Sequence, residues 1–136
     1  MLNRIATIAA TIMAITLGVA AHRPAAAGTL GIHIGSQHFP SKDYNNVNPG
    51  VYYIADDGAT VGTYYNSERR QSVYAGWTFD SGPWRLQVGA ITGYQGRVLP
   101  MVAPSVALGH GFRLTVLPKL ERDGAAVAHI TWETKL

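Results

Sequence analysis

From Val61 to Phe79 (VGTYYNSERRQSVYAGWTF) apolar and polar positions alternate in two arms around a charged link. In the second arm Val73, Ala75, Trp77 and Phe79 share one face, and Ser72, Tyr74, Gly76 and Thr78 share the other. A period of two marks a β-strand whose sides meet different environments. The second face carries small and hydroxyl side chains but no Lys or Glu, which suits an enclosed space better than bulk water. Large apolar residues outside and small polar ones inside make the pattern of a membrane barrel.

The same alternation recurs along the chain. Gly28 to Phe39 sets Leu30, Ile32 and Ile34 against Gly31, His33, Gly35 and Gln37, and a loop rich in Pro, Asn and Gly follows as far as Gly50. Val51 to Ala55 predicts a second strand, closed by the tight-turn signal Asp56-Asp57-Gly58. The two arms already described are strands three and four. After a turn at Asp80 to Pro83, Trp84 to Tyr94 sets Trp84, Leu86, Val88 and Ala90 against Arg85, Gln87 and Gly89. Beyond the link QGRVL, Pro100 to Leu108 predicts strand six, interrupted by Pro104, and Gly109-His110-Gly111 a minimal turn. Strand seven alternates Phe112, Leu114 and Val116 with Arg113, Thr115 and Leu117. Lys119 to Ala125 reads as a polar loop, and strand eight sets Ala128, Ile130 and Trp132 against His129, Thr131 and Glu133.

Eight strands in a meander, with no helical segment of useful length, predict an all-β fold. It is an eight-stranded antiparallel up-and-down outer-membrane β-barrel over residues 28–136. The second, fourth and sixth links are short. The first, third, fifth and seventh carry more charge and are mostly longer, so these should face outward. Tyr and Trp near the strand ends fit interfacial girdles. A soluble eight-stranded ligand carrier is the structural rival, and it would leave the outward apolar faces wet. Parity puts His33, Gln37, Arg85, Gln87, Arg113, His129 and Glu133 in the lumen. Buried charge needs a partner, so Glu133 is expected to pair with Arg113 or Arg85.

The start of the chain adds a location. Arg4 precedes a mostly apolar run from Ile5 to Ala21, and Pro24 precedes Ala25-Ala26-Ala27. This reads as a signal peptide over residues 1–27, cleaved after Ala27 or earlier near Ala21, with an uncleaved anchor as the alternative. Arg4 and Arg23 belong to it, so the net charge of +3 leaves the remainder nearly neutral, with nine Lys/Arg against eight Asp/Glu. Neither charge nor motif points to nucleic acid. Without cysteine there are no disulfides or thiolate metal sites. The five histidines are scattered without metal-ligand spacing, and no cofactor motif occurs.

A set of short motifs resembles the lipid A palmitoyltransferase family of outer-membrane enzymes. They are Tyr44-Asn45, Gly50, Asn66-Ser67, Ala75-Gly76-Trp77, Leu99-Pro100-Met101-Val102-Ala103-Pro104, Gly109-His110-Gly111 and Leu117-Pro118. The similarity covers most of residues 33–136, and two spacings match: Asn66-Ser67 to Ala75-Gly76, and Pro100 to Pro104. The resemblance implies a monomeric barrel that carries a palmitate from a phospholipid to lipid A. It implies lateral lipid entry where prolines interrupt strand pairing, here Pro104 and Pro118. It implies a catalytic surface with a His on the first outer loop and an Asp-Ser pair on the second. Ser67 matches the serine, and the histidine is His38 or, alternatively, His33. Asn66 stands where the family has an acidic residue, and an amide cannot stabilise an imidazolium as a carboxylate does. The family's N-terminal amphipathic helix has no counterpart before strand one.

Elementary chemistry runs alongside. A serine hydroxyl needs a base within hydrogen-bond reach, and His38 and Ser67 both lie at outer strand ends. In that reading His38 is the general base, Ser67 the acyl-handling hydroxyl and Asn66 an orienting group. Arg69, Arg70, Arg97, Lys119 and Arg122 fall in the outer loops and could bind lipid A phosphates. The alternative is a non-catalytic barrel whose basic loops bind lipopolysaccharide or an external partner.

Overall fold

Strands that are apolar on one side and polar on the other enclose the polar side when their sheet closes on itself. The structure, a computed structural model, describes residues 28–117 and 125–136. The expected leader, Pro118, Lys119 and Arg122 lie outside the described residues. The strands are β1 (Thr29–Phe39), β2 (Val47–Ile54), β3 (Ala59–Tyr65), β4 (Gln71–Ser81), β5 (Trp84–Tyr94), β6 (Arg97–Gly109), β7 (Phe112–Leu117) and β8 (Ala126–Lys135). They form a closed antiparallel barrel in chain order, and β1 seals it by pairing with β8 from Thr29↔Lys135 to Phe39↔Ala126. The eight-stranded fold expected from the alternation is the one observed.

The turns at 55–58, 82–83 and 110–111 lie at one end with Gly28 and Leu136, whose backbones are joined at 2.9 Å. The loops at 40–46 and 66–70 lie at the other. The outward band is apolar, with Leu30, Ile32, Val51, Leu86, Val102 and Val116 exposed. Trp77, Phe79, Trp84 and Phe112 collect on the outside toward the turn end, where Trp84 is 64% exposed.

Three expectations need correction. Strand two starts at Val47 rather than Val51, because it pairs with β1 down to Gly35↔Val47. Pro49 brings no N–H to the neighbouring β3, and the Asn48 amide donates to the Tyr65 carbonyl at 3.0 Å instead. The fifth link is not a longer loop. Tyr94 pairs with Arg97 across Gln95-Gly96, so Arg97 opens β6. Finally, Gln37 does not face the lumen. β1 carries a bulge between His33 and Gly35, where Ile34 is an extra residue against β8. One inserted residue swaps the two faces beyond it. Gln37 therefore turns out and His38 turns in.

Candidate functional site

The lumen is filled in layers. At the turn end Arg85 holds Asp80 through Nε at 2.6 Å and Nη2 at 3.0 Å. Arg85 Nη1 also donates to Glu133 Oε1, and Arg113 Nε lies 3.5 Å from Glu133 Oε2. The expected pairing of Glu133 is present with both arginines. Tyr52 adds a hydroxyl donor to Glu133 at 2.7 Å. These groups come from β2, β4, β5, β7 and β8, so the cluster ties β2 and β5 to β8, with which neither shares a ladder.

Above it lies a layer of aromatic rings and imidazoles. His33 Nδ1 is 2.9 Å from His129 Nε2, and His33 Nε2 is 2.9 Å from the Tyr74 hydroxyl. The His33 ring is flanked by Tyr64 and Tyr52, with ring centroids 4.8 Å and 5.0 Å away. Gly31 and Gly62 make room for this, since a Cβ on Gly31 would fall 2.0 Å from the Tyr52 ring. His33 is thus bonded through both ring nitrogens inside the barrel, away from the 40–46 and 66–70 loops.

His38 stands higher, at the loop end of β1, and is 4% exposed. Its Nδ1 lies 2.8 Å from Asn46 Oδ1, and its ring stacks on Tyr44 with centroids 4.4 Å apart. Asn46 had no sequence signal beyond membership of an Asn-rich loop. The loops on this side are laced together: Asn45 N donates to the Ser67 carbonyl at 3.0 Å, and the Asn45 amide to the Asn66 carbonyl at 3.2 Å.

Asn66 is fully buried, and its side chain serves the backbone. Oδ1 accepts from Glu68 N and Arg70 N at 2.9 and 3.0 Å, while Nδ2 donates to Ser72 Oγ and the Gly93 carbonyl at 2.9 and 3.0 Å. It shapes the 66–70 turn and anchors it to β4 and β5. Ser67 is half-buried beside Tyr94, whose hydroxyl meets that of Tyr64 at 2.8 Å. Among the described residues no hydrogen bond joins Ser67 to His38 or Asn66 to His38.

His38 and Ser67 nevertheless share one space. A cavity of about 620 Å³ runs from these two residues down to the imidazole layer and the arginines. Ile91, Leu99, Met101, Leu117 and Val127 make its upper wall apolar. Along β6 both the inward residues Leu99, Met101 and Ala103 and the outward residues Pro100, Val102 and Pro104 line it. A cavity that touches both faces of a strand passes around that strand's edge.

The edge is open for a backbone reason. β6 and β7 pair from Gly109↔Phe112 to Ser105↔Thr115. The next register partners, Pro104 with Val116 and Ala103 with Leu117, are unpaired, although Val116 and Leu117 stay paired to β8. Ala107 N donates to the Pro83 carbonyl, on the β5 side. Backbone N–H directions alternate along a strand, so the even-numbered positions of β6 point at β7. Pro100 and Pro104 are both even and have no N–H to give. β7 therefore parts from β6 at Pro104.

Of the basic residues, Arg69 is taken by Asp43 at 2.9 Å in an exposed pair, and Arg97 donates to the Gln95 side chain. Arg70 is exposed at the rim. Among the described residues, no group of three His, Asp or Glu side chains is placed to hold a metal ion. Comparison with protein-family models, characterised proteins and solved structures finds no match.

Proposed function

We propose that this chain is an outer-membrane barrel that admits a lipid acyl chain sideways between β6 and β7 and transfers it from a phospholipid to lipid A. The cavity that wraps both faces of β6 at Pro100 and Pro104 carries this reading, because a hydrocarbon chain in the bilayer needs an apolar route that avoids water. The exposed apolar band and the aromatic residues near the turn end support a membrane setting for the strands. The loop end, with His38, Ser67 and Arg70, faces the outer leaflet in this orientation.

In the reaction, a lipid A hydroxyl attacks the phospholipid ester carbonyl. His38 Nε2 takes the proton of that hydroxyl, and the Ser67 hydroxyl donates a hydrogen bond to the developing oxyanion. When the tetrahedral intermediate collapses, the ester C–O bond to glycerol breaks, and His38 returns the proton to the departing lysophospholipid oxygen. Atoms balance without a cofactor. Arg70 and Arg97 supply cationic groups for lipid phosphates at the rim.

The test is mass spectrometry of lipid A from cells with and without the protein, beside Ser67→Ala. One added acyl chain that disappears in the variant is the expected result. An unchanged spectrum, with the protein confirmed in the outer membrane, would instead indicate a non-catalytic barrel that binds lipid. The missing hydrogen bond between His38 and Ser67 favours that second reading.

A further inference from the structure

His38 is held from several sides, and the arrangement begins in the backbone. Gly35 follows the β1 bulge, and a Cβ there would fall 2.7 Å from the Asn46 carbonyl oxygen. Glycine lets that carbonyl approach, and Ser36 N donates to it at 2.9 Å. The Asn46 backbone is thereby pinned to β1, and its side chain meets His38 Nδ1 at 2.8 Å. Tyr44, from the same loop, stacks on the imidazole at 21° between planes, which fixes the plane of the ring. Nε2 has no hydrogen-bond partner among the described residues, and His38 lines the cavity.

We propose that Asn46 is a positioning residue: its Oδ1 accepts from His38 Nδ1–H and leaves the Nε2 lone pair toward the cavity mouth. The inference rests on the acyl-transfer reading, in which Nε2 takes the acceptor's proton. The hydrogen bond at one ring nitrogen decides which tautomer the other presents. An amide oxygen can hold the tautomer and the ring orientation without carrying charge. Asn66 cannot serve here, because both its amide hydrogens and its Oδ1 are committed to Ser72, Gly93, Glu68 and Arg70. The orienting group comes from the first outer loop, not the second.

The test uses the mature barrel folded in detergent with 15N-labelled histidine, the His38 signals being assigned by their loss in His38→Gln. Long-range nitrogen–proton correlations report the tautomer of each imidazole. His38 is expected as the Nδ1–H form in the unmodified protein and in Asn46→Asp, which keeps the acceptor, and as a mixture in Asn46→Leu. Lipid A acylation should fall by roughly tenfold or more in Asn46→Leu and be retained in Asn46→Asp. An Nε2–H tautomer in the unmodified protein would overturn the proposal, and that spectrum requires no variant to fold. So would an Asn46→Leu barrel that keeps the Nδ1–H form or acylates at the full rate. If the unmodified protein shows the expected tautomer but adds no acyl chain, the acyl-transfer reading fails by itself. The pairing of Asn46 with His38 then stands.

Discussion

Arg85 and Glu133 meet across the lumen although their strands, β5 and β8, share no ladder. Arg85 is 5% exposed at its side chain and Glu133 13%, so neither charge is solvated by bulk water. Each is compensated more than once: Arg85 also by Asp80, Glu133 also by Tyr52 and Arg113. The cluster therefore works as a bolt at the turn end, below the cavity.

Removing one side of a buried pair strands the other charge. Glu133→Ala leaves Arg113 without its carboxylate and Arg85 with Asp80 alone. We expect a loss of roughly 3–5 kcal/mol, measured by urea unfolding of the barrel in lipid vesicles. A loss well under about 1 kcal/mol, the range of an exposed pair, would show that solvent replaces the carboxylate.

Asn66→Asp would supply the acidic residue that the resemblance to lipid A palmitoyltransferases leads one to expect at this position, yet it should weaken the barrel. The carboxylate still accepts from Glu68 N and Arg70 N but cannot donate to the Gly93 carbonyl, which the Asn66 amide reaches at 3.0 Å. A buried acceptor left facing a negative charge costs about 1–3 kcal/mol. The same unfolding experiment reads it, and an equal or higher stability would contradict the assignment of Asn66 to the turn.

The opening beside β6 can be closed chemically. The sequence has no cysteine, so Pro104→Cys with Val116→Cys introduces one defined pair at register-opposite positions. The oxidised barrel should modify lipid A at least roughly tenfold more slowly than the reduced one, with recovery on adding reductant. Equal rates in both states would place lipid entry elsewhere.

Filling the cavity should separate folding from function. Ala103 is 7% exposed and faces the cavity from β6, opposite Gln87 on β5. Ala103→Trp occupies the space an acyl chain would need. Acyl transfer is expected to drop on the order of 100-fold, while far-UV circular dichroism keeps the β-barrel spectrum. Unchanged transfer would exclude this part of the lumen as the chain's seat.

Much of the fold was legible because strand periodicity is local. In β4, β7 and β8 no bulge intervenes, and in β5 the one irregularity lies beyond Ile91, so the alternation alone sorted Tyr74, Arg85, Arg113, His129 and Glu133 inward. The Glu133 pairing followed, since inward charge in a closed barrel has few partners. The short turns at 82–83 and 110–111 were marked by Gly and Pro, whose backbone preferences act within a few residues.

What the tertiary structure decided depends on neighbours distant in the chain. The bulge at Ile34 arises from the register of β1 against β2 and β8, and it exchanged Gln37 for His38 in the lumen. The Asn-rich loop offers several equivalent amides in sequence. Only the approach of the Asn46 carbonyl to Gly35 and Ser36 selects Asn46 for His38, while Ser72 of β4 and the Gly93 carbonyl of β5 claim the Asn66 amide. Pro100 and Pro104 are visible in the sequence, but their missing N–H groups matter because both point at β7 rather than β5. Local alternation is enough to mark the strands and their inward faces; the closure of β1 on β8, the cavity, its side opening and the imidazole at its mouth come from register.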